Sequence, residues 1–345
     1  MRAAVYSRYG PPDVLEIRDV ERPIPGENEV LVRIRATTVS AADWRMRKAD
    51  PVLVRFMNGL WAPKKARILG MEFAGEVESV GKAVTRFKQG DEVFGSTGFK
   101  FGTHAEYACL AEDAMLATKP ANMTLEEAAA VLFGGFSALH FLRKAKIQAG
   151  QKVLIYGASG SVGVFAVQLA KHFGARVTGV CSTTNLELVK SLGADEVVDY
   201  TAEDFSRAGP VYDVVLDTVG KSGFSRSLRA LKRGGYYVRV MGSGRLLNMF
   251  GDLFREMWVS ITGKAKVIGG VADGDAEDLS LLKSLIEADE LRTVIDRRYS
   301  LDEIAEAHRY AEAGHKKGHV VILVEHVSRQ GVPVVGGPST PNKSQ

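Results

Sequence analysis

The sequence predicts an α/β protein with a doubly wound parallel sheet and a second, mainly antiparallel β region. Three observations support this. From Lys152 onward, strand-like and helix-like segments alternate, and the strands are near-continuous apolar runs, as in a parallel sheet covered on both faces. Before Thr124 the chain reads instead as short strands with glycine or proline at nearly every corner. At the head of the alternating region, "VLIYGASGSVGVFAVQLAK" sets a glycine-rich turn between a strand and a helix.

In order, "AAVYS", "VLEIRDV" and "EVLVRIRATTVS" alternate or run apolar, separated by "YGPP" and "RPIPGEN". "LGMEFAGEVESVG", "GDEVFGST" and "HAEYACL" continue the β pattern. A helix is expected through "TLEEAAAVLFGGFSALHFL", where Thr124 and Glu127 form a capping-box pair. The alternating region then gives "KVLIYG", a helix through "SVGVFAVQLAKHFG", "ARVTGVC", a helix through "LELVKSLG", "DEVVDY", "YDVVLDTVG", a helix through "FSRSLRALKRGG", and "YYVRVMG". Residues 245–263 carry apolar side chains on one helical face. "DLSLLKSLIEADEL", "TVIDRRYS", "LDEIAEAHRYAEAG" and "HVVILVE" add helix, strand, helix and strand. The rest, rich in Pro, Gly and Ser, reads as a flexible tail.

A chain of 345 residues, 46% hydrophobic and 25% charged, is long enough for two cores. Its 45 basic and 41 acidic residues are spread without a long basic run, which argues against a nucleic-acid partner. Two cysteines, Cys109 and Cys181, exclude a disulfide framework and a four-cysteine zinc lobe, and suit a reducing compartment. No signal-like apolar core opens the sequence and no run of about 18 apolar residues occurs in it, so a cytoplasmic location without a membrane span is expected.

Gly157, Gly160 and Gly163 form G-x-x-G-x-x-G in a strand–turn–helix context. The first permits a tight turn, the second a close approach of the backbone to a pyrophosphate, the third close helix–strand packing. Ala158, Ser159, Ser161 and Val162 complete the loop, whose free N–H groups would face the phosphates of a dinucleotide. After the next strand, Ser182, Thr183 and Asn185 offer hydrogen-bond donors where an NAD enzyme typically carries a carboxylate. That favours NADPH, although no Arg or Lys follows immediately.

Together, "VLVRIRATTVSAADWRMR", "LGMEFAGEVESVGKAVTRFKQGDEVFG", "GTHAEY", "TLEEAAAV", "YGASGSVGVFAVQLAK", "SLGADEVVDY", "YDVVLDTVG" and "GHVVILV" resemble the medium-chain dehydrogenase/reductase superfamily, in its zinc-independent quinone oxidoreductase-like (zeta-crystallin-like) branch. The resemblance spans about residues 1–325. It implies a GroES-like domain over 1–123, a Rossmann NADP-binding domain over 124–270, a return to the first domain over 271–326 and a tail over 327–345. The active site would lie in the cleft between the two domains.

Zinc-dependent relatives put Cys near position 40 and a His-Glu pair near 71 and 72. This chain has Ser40, Met71 and Glu72, and a hydroxyl and a thioether are poor Zn²⁺ ligands, so no metal is expected. Glu72 should be paired with an arginine or with backbone donors. Ser40, in place of an asparagine at the nicotinamide end of the cleft, is the one candidate catalytic residue. Asp43 and Trp44 read as a capping carboxylate and a packed indole. The resemblance also implies cofactor contacts at Ser137, Tyr200, Val219, Met241 and Gly242, with Lys317 in the 315–317 cluster supplying charge. His104, Cys109 and His140 read as structural, His140 as a core histidine.

Two functions follow from the resemblance. One is an NADPH-dependent reductase of a quinone or an α,β-unsaturated carbonyl, acting on a small hydrophobic substrate. The other is a non-catalytic NADPH-binding or redox-sensing protein. A homodimer is left open.

Overall fold

The computed structural model describes residues 1–240, Val259 and 263–325. The expected 245–263 helix and the 327–345 tail therefore lie outside the described residues, apart from Val259 and Gly263.

The N-terminal part contributes β1 (Arg2–Val5), β2 (Glu16–Asp19), β3 (Glu29–Thr38), α1 (Ala41–Lys48), α2 (Val54–Asn58), β4 (Glu72–Val80), β5 (Glu92–Ser96), β6 (Tyr107–Ala111) and β7 (Leu116–Thr118). Next come α3 (Leu125–Ala129), α4 (Leu132–Lys144), β8 (Lys152–Tyr156), α5 (Ser161–His172), β9 (Arg176–Cys181), α6 (Leu186–Ser191), β10 (Glu196–Asp199), β11 (Tyr212–Asp217), α7 (Phe224–Ala230), β12 (Leu231–Arg239) and β13 (Ala265–Gly269). The chain closes with α8 (Ala276–Glu287), β14 (Ile295–Ser300), α9 (Ile304–Ala313) and β15 (His319–Leu323).

Strands β8 to β13 form a parallel sheet in the order β10-β9-β8-β11-β12-β13. Strand order reverses between β8 and β11, and ligands of open α/β sheets bind at such a switch point, outside the carboxyl ends of the strands. Val153, Leu154 and Ile155 of β8 are fully buried, which accounts for the continuous apolar run that marks this strand in sequence. The other sheet runs β14-β15-β3-β4-β5-β7, with β6 also on β3. β3 is its hinge: β4, β6 and β15 all pair antiparallel to it, and it buries Val30, Val32, Ile34 and Ala36. The chain therefore enters the second sheet, leaves for the parallel one, and returns through β14 and β15. On the way back, α8 buries Leu279, Leu282, Leu285 and Ile286 in the core that covers the parallel sheet, while Ile304, Ala307 and Ala311 of α9 belong to the other core.

Two expected helices differ from the structure. The segment opened by the Thr124–Glu127 capping box is two helices, α3 and α4, broken at Ala130 and Val131. The break creates a second helix N-terminus, whose use becomes plain at Glu72. α7 stops at Ala230, because Leu231 already pairs with Tyr212 of β11; the register then shifts, and pairing resumes at Tyr236 with Val214.

Candidate functional site: a glycine loop beside an apolar cleft

The glycine loop follows β8 at the switch point. Gly157 has φ +80°, and a Cβ there would lie 2.3 Å from Val219 Cγ2, so the turn needs glycine both for its dihedral and for its neighbour on the β11 side. Gly163 packs so closely that a Cβ would sit 2.1 Å from the Gly157 carbonyl oxygen. At Gly160 the situation is different: φ is −82°, and only that same carbonyl oxygen, at 3.4 Å, stands near a Cβ. No packing requirement accounts for glycine at this position. Gly160 is the N-cap of α5 and supplies no side-chain cap, so the first-turn N–H groups point outward without an intrahelical partner. These are the features a bound pyrophosphate requires, and the loop fits one. Ala158, Ser159, Ser161 and Val162 complete the cradle, and the Gly318 N–H donates to the Ser159 carbonyl (2.8 Å).

At the far end of the loop, Asn185 Nδ2 donates to the hydroxyls of Ser159 (3.0 Å) and Ser182 (3.2 Å), so the 182–185 segment is tied to the glycine turn. The Tyr200 N–H donates to the Cys181 carbonyl (3.1 Å), and its half-exposed ring lies 6.1 Å from that of Tyr156. One expectation is corrected here. A carboxylate does stand beside the 182–185 segment: Asp199, register-paired with Cys181 across β9 and β10, accepts hydrogen bonds from the hydroxyls of Thr183 and Thr201. Those bonds hold it below the usual carboxylate range. Reading one strand at a time missed Asp199, because only sheet pairing brings it there.

Between the two sheets lies a cavity of about 310 Å³. Met71, Met115, Phe133, Phe136 and Phe141 are among the large apolar side chains of its wall; Val240 and Gly270, just past β12 and β13, line it on the parallel-sheet side. Ser137 lines it from α4, with its hydroxyl donating to the Phe133 carbonyl (2.7 Å). Glu72 opens into it from β4, although only 1% exposed. One Glu72 oxygen accepts from the Thr38 hydroxyl and the other from the Phe133 N–H (2.7 Å). That N–H is free because α4 begins afresh after the break at Val131. The partner of Glu72 is thus a helix N-terminus and a hydroxyl, rather than an arginine. Burial still outweighs these donors and pushes the carboxyl up to about 7, with Asp43 adding to the rise.

Arg45 is the cation in the wall, and sequence reasoning passed over it. Its guanidinium stacks on Trp44 (5.2 Å) and makes no ion pair among the described residues. Burial holds it below the ordinary arginine range. The signal available in sequence was "DWRMRK", three basic residues on one short helix. It could not show that Arg47 turns inward to Glu312, that Lys48 pairs with the same carboxylate, or that Arg45 is left facing the cavity.

Ser40 caps α1 as half of a capping box. Its hydroxyl donates to Asp43 Oδ2 (2.6 Å), and the other Asp43 oxygen accepts from the Gly70 N–H (2.8 Å). Asp43 is thus a capping carboxylate and the half-buried Trp44 packs on the core of the β-rich part, as expected. Zn²⁺ does not suit this donor set: the Ser40 proton is engaged by Asp43, Met71 offers a thioether, and both Glu72 oxygens are taken. Among the described residues no group of three His, Cys, Asp or Glu side chains is arranged to hold a metal ion.

In the 315–317 cluster it is Lys316 that reaches the glycine loop, its ammonium donating to the Ser161 hydroxyl and the Gly318 carbonyl. Burial pushes it down to about 8, while Glu72 and Asp296 act in the opposite sense. The Lys317 backbone N–H donates to Asp296 (2.9 Å). The Val219 N–H donates to Asp217 (3.0 Å). Met241 and Gly242 lie outside the described residues. His104 is fully buried with Nε2 2.9 Å from the Thr38 carbonyl, and the Cys109 thiol is pushed up to about 11, chiefly by burial, so neither is poised as a nucleophile pair. His140 is not the core histidine expected: it is half-buried, with Nδ1 2.9 Å from the Asp273 carbonyl.

Residues 26–121 match the family of alcohol dehydrogenase GroES-like domains, and residues 192–322 match the family of zinc-binding dehydrogenases. The chain is 34% identical to the 2-methylene-furan-3-one reductase of Solanum lycopersicum, over 93% of this chain and 79% of the relative. It is 32% identical to a chloroplastic NADPH-dependent alkenal/one oxidoreductase of Arabidopsis thaliana, with the same coverage, 93% and 79%. Among solved structures, the quinone oxidoreductase from Coxiella burnetii superposes with a TM-score of 0.83 at 32% identity, covering 94% of this chain and 99% of that one.

Proposed function

We propose, for a chain that belongs to the medium-chain dehydrogenase/reductase superfamily and to its zinc-independent quinone oxidoreductase-like branch, that it is an NADPH-dependent reductase of quinones or α,β-unsaturated carbonyls. The observation that carries this reading is the juxtaposition of a glycine loop that fits a pyrophosphate with an apolar cleft whose wall, among the described residues, holds a cation without an ion pair and no metal-ligand set. In this reading the domains run 1–123 with 271–326 and 124–270, and the cleft between them holds the substrate.

Bound NADPH supplies the hydride. The chain's own residues do the rest. Loop residues 157–163 hold the pyrophosphate, with Lys316 as the adjoining charge; Ser182, Thr183, Asn185 and Tyr200 border the adenosine end, and Ser137 and Val219 border the reactive end. Met71, Phe133, Phe136 and Phe141 exclude water and grip a flat conjugated substrate. When a conjugated carbonyl takes up hydride at carbon, electron density collects on its oxygen. Arg45 is the group in the wall able to receive that charge. Solvent supplies the balancing proton. Ser40 acts as a positioning residue, fixing α1 and therefore Arg45.

The deciding assay compares NADPH oxidation by 9,10-phenanthrenequinone and by an enone with NADP⁺ reduction by ethanol. The first two should turn over and the third should not, because an unactivated alcohol must lose its proton before it gives up hydride, and among the described residues the wall offers no metal-ligand set to acidify it. Efficient ethanol oxidation with neither acceptor reduced would overturn the proposal. Arg45→Met should lower kcat/KM by about 100-fold or more while NADPH affinity, read by calorimetry, stays unchanged. Lys316→Met should do the reverse, weakening NADPH about tenfold for the loss of one charge-assisted contact, whereas Lys317→Met should change little. Because the Lys316 ammonium titrates at about 8, NADPH affinity of the unmodified protein should fall as pH rises through that value.

A further inference from the structure

Surface segments commonly turn apolar side chains inward and polar ones outward. The segment 52–61 does the opposite. Val52, Leu53, Phe56, Met57, Leu60 and Trp61 are all at least half exposed, Phe56 to 72% and Trp61 to 90%. Of the two polar members of the same stretch, Arg55 lies half-buried over the Tyr9 ring (5.1 Å), and Asn58 is buried and pins the segment: its amide donates to the Tyr6 hydroxyl (2.9 Å), and its carbonyl oxygen accepts from the Ala66 N–H (2.8 Å) and the Lys65 N–H (3.2 Å). The Tyr9 hydroxyl holds the Gly59 carbonyl as well (2.7 Å). The outward display of apolar side chains is thus built into the fold.

Basic side chains border it. Lys64, Lys65, Arg67 and Lys100 are exposed and make no ion pair among the described residues, and from residue 44 to 70 the only acidic residue is Asp50. A groove lined by Met57, Lys65 and Phe99 adjoins this patch, and Phe99 also lines the cavity. Among the described residues no helix is long and apolar enough to cross a membrane, so an apolar patch of this kind would lie on a bilayer rather than pass through it.

We propose that residues 52–61, with Lys64, Lys65, Arg67 and Lys100, form a docking face for an anionic lipid surface, with Phe56 and Trp61 entering the headgroup boundary and the lysines and arginine meeting lipid phosphates. The charge of the rim selects this occupant: a second copy of the chain would bring the same basic rim against itself, whereas an anionic bilayer complements it. An aromatic ring with a polar edge, such as Trp61, suits the depth at which headgroups meet acyl chains.

The test is flotation of the full chain with vesicles of phosphatidylcholine containing phosphatidylglycerol, against vesicles of phosphatidylcholine alone. The protein should float with the anionic vesicles and be released by high salt. Phe56→Ser with Trp61→Ser should abolish flotation with no change in melting temperature, both rings being exposed. Lys64→Glu with Lys65→Glu should weaken partitioning by about 25-fold or more, at about fivefold for each basic side chain lost from an anionic surface. If the first variant fails to fold, the second decides alone. Absence of flotation with anionic vesicles, flotation unaffected by the lysine reversals, or a self-association that Phe56→Ser with Trp61→Ser abolishes would each overturn the assignment, the last by giving the face to a second copy.

Discussion

Gly160→Val is expected to abolish measurable NADPH binding, a loss of at least about 100-fold or ~2.7 kcal/mol, while leaving the fold intact. The two halves of that expectation come from one observation. A Cβ at Gly160 meets only the Gly157 carbonyl oxygen, at an ordinary 3.4 Å, and the residue's φ of −82° is open to any side chain. In the proposed cofactor site the space above it receives a phosphate, and a valine would fill it. Gly163→Ala is the control with the opposite outcome. Its Cβ would stand 2.1 Å from the Gly157 carbonyl oxygen and 2.7 Å from the Ala158 backbone, and neither can retreat without opening the turn. Overpacking against backbone should cost ~3 kcal/mol or more, so this variant should melt early whether or not cofactor is present. Calorimetric titration and thermal melts of the two proteins check the pair. An early-melting Gly160→Val would mean that glycine is required there for folding, and intact NADPH binding by it would remove the loop from the cofactor site.

The second large effect is the dependence of stability on pH through Glu72. The folded protein holds this carboxyl at about 7, against 4.5 for the ordinary side chain. Between those values the native state keeps a proton that the unfolded chain has released. Stability therefore falls as pH rises from about 4.5 to about 7, and above 7 the charge is buried at full cost. A displacement of this size corresponds to about 3 kcal/mol, or about 4 °C in melting temperature for a chain of 345 residues. Glu72→Gln stays neutral throughout. Its melting temperature should match the unmodified protein at pH 5 and exceed it at pH 8, and parallel curves at both would show that Glu72 is ionised throughout. Catalysis should follow the same sign. In the proposed reaction an ionised Glu72 would face the substrate oxygen as it gathers negative charge, so kcat should decline through pH 7 and hold to higher pH in Glu72→Gln.

Much of the fold was legible before any coordinates. The apolar runs of "KVLIYG" and "YDVVLDTVG" fit a sheet covered on both faces, and the strands they form lie side by side at the centre of the order β10-β9-β8-β11-β12-β13. The glycine triplet was legible because the turn at Gly157 and the close packing at Gly163 have backbone reasons that act within a few residues. The capping box at Thr124 spans three residues and was equally plain, and Asp43 was legible as a capping carboxylate, although its partner Ser40 was not. The chain's own letters also showed that two of the positions the resemblance assigns to zinc ligands in the zinc-dependent branch carry Ser40 and Met71, whose hydroxyl and thioether are poor Zn²⁺ ligands.

What the tertiary structure alone decided lies between elements. Whether Glu72 meets an arginine or a helix end depended on the break at Ala130 and Val131, and local helix propensity gives no sign of a break that a carboxylate on another strand makes worthwhile. Asp199 reaches the 182–185 segment through the pairing of β9 with β10. Lys316 rather than Lys317 meets the glycine loop because of the direction in which the chain enters β15. Of three basic residues on α1, Arg45 alone faces the cavity, because Glu312, more than 260 positions away, draws off the other two. Sequence determined the interactions that close within a turn or repeat along a strand. Charge pairing over long separations was left to the packed fold, because a side chain's partner is set by which elements lie against it.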